Sequence, residues 1–427
     1  MFQKSFFFPE ACLNPDRNSI CVSKEDLYSP ETGYGFVTEE NREKQELLQI
    51  PAISNGFRPI NTVTKRPVPV CFKVDVPVQG NYRVEIKAEN DGREALIFLE
   101  RRRLYLLDDF KGTKTFSFTA NVCDIIPEGK GRIYHDMDLD VTWVGEGLKI
   151  LSIDVKEVNC PTIYIAGDST VTDQPADFPY SPGTSYCGWG QMLPAYLKNT
   201  VAVSNHAHSG LSTETFRKEG HYSIIESYVK PGDYFFMQFG HNDQKLEHLR
   251  ENTGYRENLV RFIQEIRAKG AFPVIVTSLA RNTWFKEGES YNDLLHAYAL
   301  ECEKIGAEYD VPVLDLHGYS MDLIIKNGLQ ESKKFYYPGD YSHTNDYGAY
   351  IMAGFVASEM KRAAAVAKEA HYKAFAGMMR EDVPEWPIDP ELLKLPEIVV
   401  SGKIEETAKE KSYQLEMDRL NEIITNK

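Results

Sequence analysis

From about residue 68 to residue 155 apolar and polar side chains alternate. Val68, Val70, Phe72, Val74 and Val76 interleave with Pro69, Cys71, Lys73 and Asp75. Tyr82, Val84, Ile86 and Ala88 do the same against Arg83, Glu85, Lys87 and Glu89. Phe116 through Val122, Leu139 through Trp143 and Leu151 through Val155 repeat the pattern. A period of two is that of a strand with one face buried. Turn signals at Gln79-Gly80, Asn90-Asp91-Gly92 and Gly145-Glu146-Gly147 separate the runs. Antiparallel strands at this spacing predict a β-sandwich. The residues ahead of them, rich in Asn, Pro and Glu, are expected to be irregular.

Near Cys160 the pattern changes. Short apolar strands at Ile163 to Ala166, Val201 to Val203, Tyr234 to Phe239, Val274 to Val276 and Val313 to Leu316 now alternate with helical stretches. Helices are expected at Met192 to Leu197, at Ile224 to Val229, through Leu294, Leu295 and Tyr298, and at Tyr350 to Met360. Leu259, Phe262, Ile263 and Ile266 form an i, i+3, i+4, i+7 stripe on a further helix. Five strands in βα alternation predict a parallel sheet covered on both faces, with its site at the carboxyl ends of the strands. The expected organisation is a sandwich over 1–158, an α/β unit over 159–375 and a charged, partly helical extension over 376–427.

Composition narrows the function. The chain has 427 residues, enough for two or three domains at ~150 residues each. With 48 Lys and Arg against 63 Asp and Glu the net charge is −15. That excludes a general nucleic-acid binder, which needs a basic face. No apolar run reaches the ~18 residues of a membrane helix, so no membrane partner is expected. The cysteines Cys12, Cys21, Cys71, Cys123, Cys160, Cys187 and Cys302 are scattered, odd in number and without a CxxC pair. A reducing compartment is the simpler reading. The three-Phe run at Phe6 to Phe8 ends at Pro9 and is too short for an export h-region, so a cytoplasmic location is expected.

Four short segments follow predicted strands. Gly167-Asp168-Ser169-Thr170 puts a serine at a strand-to-loop turn, where its Oγ can stand at the sheet edge. Alone it is common turn chemistry, and it lacks the G-x-S-x-G spacing. Asp340-Tyr341-Ser342-His343 places a carboxylate three residues before an imidazole. That spacing can set the carboxylate against Nδ1 and leave Nε2 for a hydroxyl nucleophile. Ser209-Gly210 and Gly240-His241-Asn242-Asp243 offer a closely approaching backbone amide and a side-chain amide, the donors an oxyanion needs. Each segment alone reads as a turn. All four in order, each at a strand's carboxyl end, are hard to assign to turns.

On these residues the sequence resembles the SGNH (GDSL-type) hydrolases. Within them it is most similar to rhamnogalacturonan acetylesterases, through Gly167 to Thr170, Gly188-Trp189-Gly190, Phe239 to Asp243 and Asp340 to Ala349. The resemblance spans about residues 161–365. It implies a flavodoxin-like α/β/α fold, with Ser169, Asp340 and His343 as triad and Ser169, Gly210 and Asn242 as oxyanion hole. It further implies a serine esterase that needs no cofactor and no metal and acts on acetylated pectic oligosaccharides. The sandwich resembles galactose-binding-like modules as a β pattern only. It is expected to position substrate or shield the site without supplying catalytic groups.

Substrate contacts are expected from Arg281 and His241. Arg217, Lys218 and Lys245 are further cations that could offset the −15 charge toward a uronate. Asp168 is expected to brace the nucleophile turn. His206-Ala207-His208 has the look of a metal pair, but no further ligands accompany it, and a loop role is expected. Cys187 is expected to be buried. Alternatives are an acetylxylan, other carbohydrate or lipid esterase of the same family, or a carbohydrate-binding protein with an inert hydrolase half. An idle site has no physical need for all five of Ser169, Gly210, Asn242, Asp340 and His343.

Overall fold

The computed structural model describes residues 2–8, 19–37, 69–127, 131–174, 185–285 and 290–383. Val68 and most of the expected C-terminal extension lie outside the described residues. Among the described residues the N-terminal half holds ten strands: β1 Gln3–Phe7, β2 Ser19–Cys21, β3 Tyr34–Phe36, β4 Val70–Asp75, β5 Gly80–Asp91, β6 Ala95–Leu99, β7 Arg103–Asp108, β8 Lys111–Val122, β9 Asp138–Val144 and β10 Lys149–Val158. They form two five-stranded sheets, β2-β1-β10-β5-β8 and β3-β4-β9-β6-β7. All pairs are antiparallel except β1 with β2. The alternating side chains Phe72, Val74, Tyr82, Val84, Ile86, Val141 and Val155 meet in one core between the sheets.

The expectation of an irregular N-terminus is corrected. β1 pairs with β10, Gln3 opposite Lys156, and sits inside its sheet. The expected Leu151, Ile153, Val155 alternation is also shifted. A bulge between Ile150 and Ser152 buries Ile150 in place of Leu151.

The second half contains β11 Thr162–Gly167, β12 Ala202–Asn205, β13 Tyr234–Gln238, β14 Phe272–Val276, the hairpin β15 Trp284–Phe285 and β16 Ser290–Tyr291, and β17 Val313–Leu314. Its sheet is parallel, in the order β12-β11-β13-β14-β17. That is the flavodoxin-like 2-1-3-4-5 order, whose switch point lies between the first and third strands. Successive residues of each strand serve opposite faces: Ile163 and Ile165 enter one core, Tyr164 and Ala166 the other.

Six helices matter for the site and its support: α1 Trp189–Met192, α2 His221–Tyr228, α3 Arg256–Ala268, α4 His296–Tyr309, α5 Leu316–Ser332 and α6 Asp346–Val366. The stripe Leu259, Phe262, Ile263 and Ile266 is the buried face of α3, as its spacing predicts. The expected helix at Met192 to Leu197 is instead the end of α1 followed by a 3-10 turn, Leu193–Tyr196. Leu294 and Leu295 precede α4. The expected strand through Leu316 stops at Leu314, because the Asp315 side chain accepts the Gly318 amide at 2.9 Å and caps α5.

The halves are not joined by a bare linker. β10 ends at Val158 and β11 begins at Thr162, where Asn81 Nδ2 donates to Thr162 Oγ1 at 2.9 Å. Leu96, Phe98 and Leu104 of β6 and β7 pack into the core of the α/β half. Among the described residues no helix is long and apolar enough to cross a membrane.

Candidate active site

β11 is buried along its whole length and ends at Gly167. The chain then turns. Asp168 Oδ1 accepts the Thr170 amide at 2.9 Å and the Thr170 hydroxyl at 2.7 Å, and the Asp168 carbonyl accepts the amides of Val171 and Thr172. This self-bonded turn holds Ser169 at the sheet edge. α1 closes against it, with the Trp189 amide donating to the Thr170 carbonyl. A β-carbon on Gly190 would lie 2.6 Å from the Val171 carbonyl oxygen, so only glycine allows that approach.

Ser169 Oγ lies 2.8 Å from His343 Nε2, and His343 Nδ1 lies 2.8 Å from Asp340 Oδ2. The remaining Asp340 oxygen accepts the amides of Ser342 at 2.7 Å and His343 at 3.0 Å. The three-residue spacing therefore folds the carboxylate back onto the imidazole and onto the backbone that carries it. Burial pushes the Asp340 carboxyl up. The His343 hydrogen bond and charge and the two amides outweigh it and hold the group at about 2. A fixed carboxylate behind an imidazole leaves Nε2 free to take the serine proton.

Gly210 and Asn242 follow β12 and β13, which flank β11 in the sheet. Adjacent strands lie ~4.8 Å apart, so the loops carrying these residues leave the same edge of the sheet as the Ser169 turn. Gly210 has φ +82°, a left-handed conformation that glycine adopts without strain. Asn242 Nδ2 donates to the Leu211 carbonyl at 3.0 Å, which fixes the amide plane.

Asp243, quoted in the motif but given no role from sequence, joins these two loops. Its carboxylate accepts the Thr213 amide at 2.9 Å, the Thr213 hydroxyl at 2.6 Å and the Gly240 amide at 3.2 Å. Gln174 joins the first two loops, with Nε2 donating to the Ser169 carbonyl at 3.3 Å and to Ser209 Oγ at 3.2 Å. Gln238 is also unanticipated. It accepts Trp189 Nε1 at 2.8 Å and donates to Thr170 Oγ1 at 2.7 Å. Its one local signal is a polar residue at the end of the apolar run Tyr234 to Met237.

On the assignment of Asn242 as an oxyanion donor, its substitution by alanine is expected to lower kcat by roughly 10²–10³ with a smaller change in KM, since such a donor acts on charge present mainly in the transition state. Steady-state kinetics on a small acetyl ester read this directly. A pure KM effect would assign Asn242 to substrate binding.

The expected brace role of Asp168 extends further. Its second oxygen lies 3.2 Å from His241 Nδ1. Burial pushes that imidazole down while Asp168 opposes, and the Asp168 carboxyl is itself held low by His241 against its burial. His241 is 3% exposed and Arg281 4% exposed, and Arg281 Nη2 donates to the His241 carbonyl at 3.3 Å. Both were expected to touch substrate. Both side chains are buried against the Asn242 loop, and His241 Nε2 and Arg281 Nε have no hydrogen-bond partner among the described residues.

The two histidines of His206-Ala207-His208 turn to different partners. His206 Nε2 meets Ser204 Oγ at 2.9 Å and Cys123 Sγ at 3.6 Å, whereas His208 Nε2 faces the Pro127 carbonyl at 3.3 Å. Cys187 is buried, its thiol pushed up by that burial, and it donates to Gln191 Oε1 at 3.0 Å. Arg217 pairs with Glu265 and Lys218 with Glu214, each at 2.8 Å. Lys245 is exposed and donates to Asn242 Oδ1 at 3.4 Å.

A model of the GDSL-like Lipase/Acylhydrolase family matches residues 165–351. The chain is 35% identical over 208 residues to "Rhamnogalacturonan acetylesterase RhgT" of Bacillus subtilis, covering 46% of this chain and 87% of that protein. It is 28% identical over 370 residues to "Uncharacterized esterase YxiM" of the same organism, covering 84% of this chain and 90% of that protein. A crystal structure of the latter covers 86% of this chain at 26% identity with a TM-score of 0.46. The family match spans all four blocks. The chain belongs to the GDSL-like lipase/acylhydrolase family, as an esterase.

Proposed function

We propose that this protein is a serine carbohydrate esterase that removes O-acetyl groups from rhamnogalacturonan-type oligosaccharides through an acetyl-enzyme. The observation that carries the reading is the relay from Ser169 Oγ through His343 to Asp340, with both contacts at 2.8 Å. His343 Nε2 takes the Ser169 proton as Oγ attacks the acetyl carbonyl. The Ser169 and Gly210 amides and the Asn242 side chain hold the oxyanion. Collapse expels the sugar oxygen, which takes the proton back from His343. Water, deprotonated by the same imidazole, then attacks the acetyl-enzyme. Acetate leaves and Ser169 regains its proton.

The pectic substrate is supported by the relatives named as rhamnogalacturonan acetylesterases, at 35% and 34% identity. The exposed ammonium of Lys245 next to Asn242 supports it too, since a uronate needs a nearby cation on a chain of net charge −15. Short oligomers suit that charge better than a long polyanion, which the protein repels over a Debye length of ~8 Å.

Acetate release should be compared on acetylated rhamnogalacturonan before and after digestion to oligomers, and on acetylxylan. The digested pectic substrate is expected to be fastest. A preference for acetylxylan would replace the substrate class, and activity confined to long-chain acyl esters would replace it with a lipid.

A further inference from the structure

The N-terminal half reaches the hydrolase site through the turn between β6 and β7. Glu100 and Arg102 there both have φ near +55°, a left-handed conformation costly for residues with side chains. The turn sends two consecutive arginines into the other half, where both are almost wholly buried.

Arg102 spans the nucleophile loop and the histidine loop. Its Nε donates to the Gln174 carbonyl at 3.1 Å, and Nη2 donates to the Tyr186 carbonyl at 2.7 Å. Its Nη1 pairs with Asp346 at 2.8 Å, three residues beyond His343. The Tyr186 ring meets the His343 imidazole edge-on, with centroids 5.7 Å apart.

Arg103 spans the nucleophile loop and the strand that leads to Gly210. Its Nε pairs with Asp173 at 2.8 Å, four residues beyond Ser169. Its Nη1 donates to the Val203 carbonyl at 2.9 Å and its Nη2 to the Asn205 carbonyl at 3.5 Å, both on β12.

We propose that Arg102 and Arg103 are positioning residues of the esterase, by which the N-terminal half sets the register of the Ser169, Gly210 and His343 loops. The physical reason is the planar fork of guanidinium. Each arginine binds a carboxylate and backbone carbonyls from separate segments at once, which lysine cannot do. The segments they tie together are far apart in sequence, and Asn205 Nδ2, donating to Asp173 Oδ1 at 2.8 Å, joins the nucleophile loop to β12 as well. Gln174 passes the constraint on: Arg102 holds its carbonyl while its side chain holds the Ser169 carbonyl and Ser209. Ångström-scale misplacement of reacting groups costs about 10²-fold in rate, so the effect belongs in kcat.

The test uses full-length protein with Arg102→Lys and Arg103→Lys, which keep a positive charge beside Asp346 and Asp173 and so avoid an uncompensated buried carboxylate. Arg83→Ala serves as the control. Arg83 bridges the same two halves through the Asn199 carbonyl at 2.8 Å but touches none of the three loops. Thermal midpoint and steady-state kinetics on a small acetyl ester are measured for each. Expected are kcat losses of about tenfold to a hundredfold in both lysine variants, with KM within twofold. Arg83→Ala should lower the midpoint and leave kcat unchanged.

Folded lysine variants with wild-type kcat would overturn the proposal. So would a kcat loss in Arg83→Ala that matches theirs at equal loss of stability. Should the lysine variants fail to fold, Gln174→Met keeps the arginine contacts and removes only the relay. A kcat loss there supports the proposal and full activity overturns it. The proposal rests on the esterase reading. A wild-type chain inactive on every acetyl ester would defeat that reading, whereas active wild type with active variants would defeat this one alone.

Discussion

Ser169→Ala is expected to abolish ester hydrolysis, with a loss on the order of 10⁴–10⁶ in kcat. The hydroxyl lies 2.8 Å from His343 Nε2, and alanine removes the atom that gives up its proton to that nitrogen. Alanine fits the same turn, because the bonds that shape it come from Asp168, Thr170, Val171 and Thr172. The mutant should therefore melt within a few degrees of wild type and bind substrate with little change. The check is turnover of a chromogenic acetyl ester beside a thermal melt of the same preparation. Near-normal turnover in the folded mutant would remove Ser169 from the reaction.

Asp340→Asn should cost about 10⁴ in kcat while preserving the loop. The asparagine oxygen can still accept the amides of Ser342 and His343, which hold the loop in place. Its NH₂ then faces His343 Nδ1 and favours the tautomer protonated on Nε2. That nitrogen can no longer accept the Ser169 proton. The variant separates tautomer control from architecture, so KM should move little.

A second readout follows from the Asp340 carboxyl being held at about 2 against an ordinary value of ~3.9. Its folded value lies below its unfolded one. Its stabilising contribution is complete above about pH 4 and is lost as pH falls toward 2. The difference in thermal midpoint between wild type and Asp340→Asn should therefore be largest above pH 5 and shrink as pH falls toward 2. A difference constant from pH 6 to 2.5 would mean that Asp340 is not held ionised by its partners. Acid loss of activity between pH 7 and 5 would in any case have to come from another group.

Parts of this molecule are written in its local sequence. β5 alternates because one face meets the core between the sheets and the other meets solvent, so its residues report their own orientation. The stripe on α3 does the same with a helical period. The turn carrying Ser169 is shaped by residues within a few positions, and Asp340 reaches His343 within one turn, although the Gly210 and Asn242 loops also rely on bonds from distant segments. Site residues held by short-range bonds leave a short-range signature, which is why four separate blocks could be read.

What the tertiary structure alone decided lies where both faces of an element are covered or where partners are far apart in sequence. β6 is buried at every position, one face on its own core and the other on the α/β half, so it has no period to detect. β1 is defined by pairing with a strand some 150 residues later, and nothing local announces it. The bulge at Ile150 reverses an alternation that reads plainly along the chain. Arg281 and His241 follow strands as substrate-binding residues might, and only packing decides that both are buried. Arg102 and Arg103 sit in a run of three arginines with no local mark of burial. Their carboxylate partners are 244 and 70 residues away, and only the docking of two separately patterned halves brings those charges together. Periodicity reports the environment of one element at a time. It carries no information on which distant element supplies that environment, and a buried ion pair exists only once both have been placed.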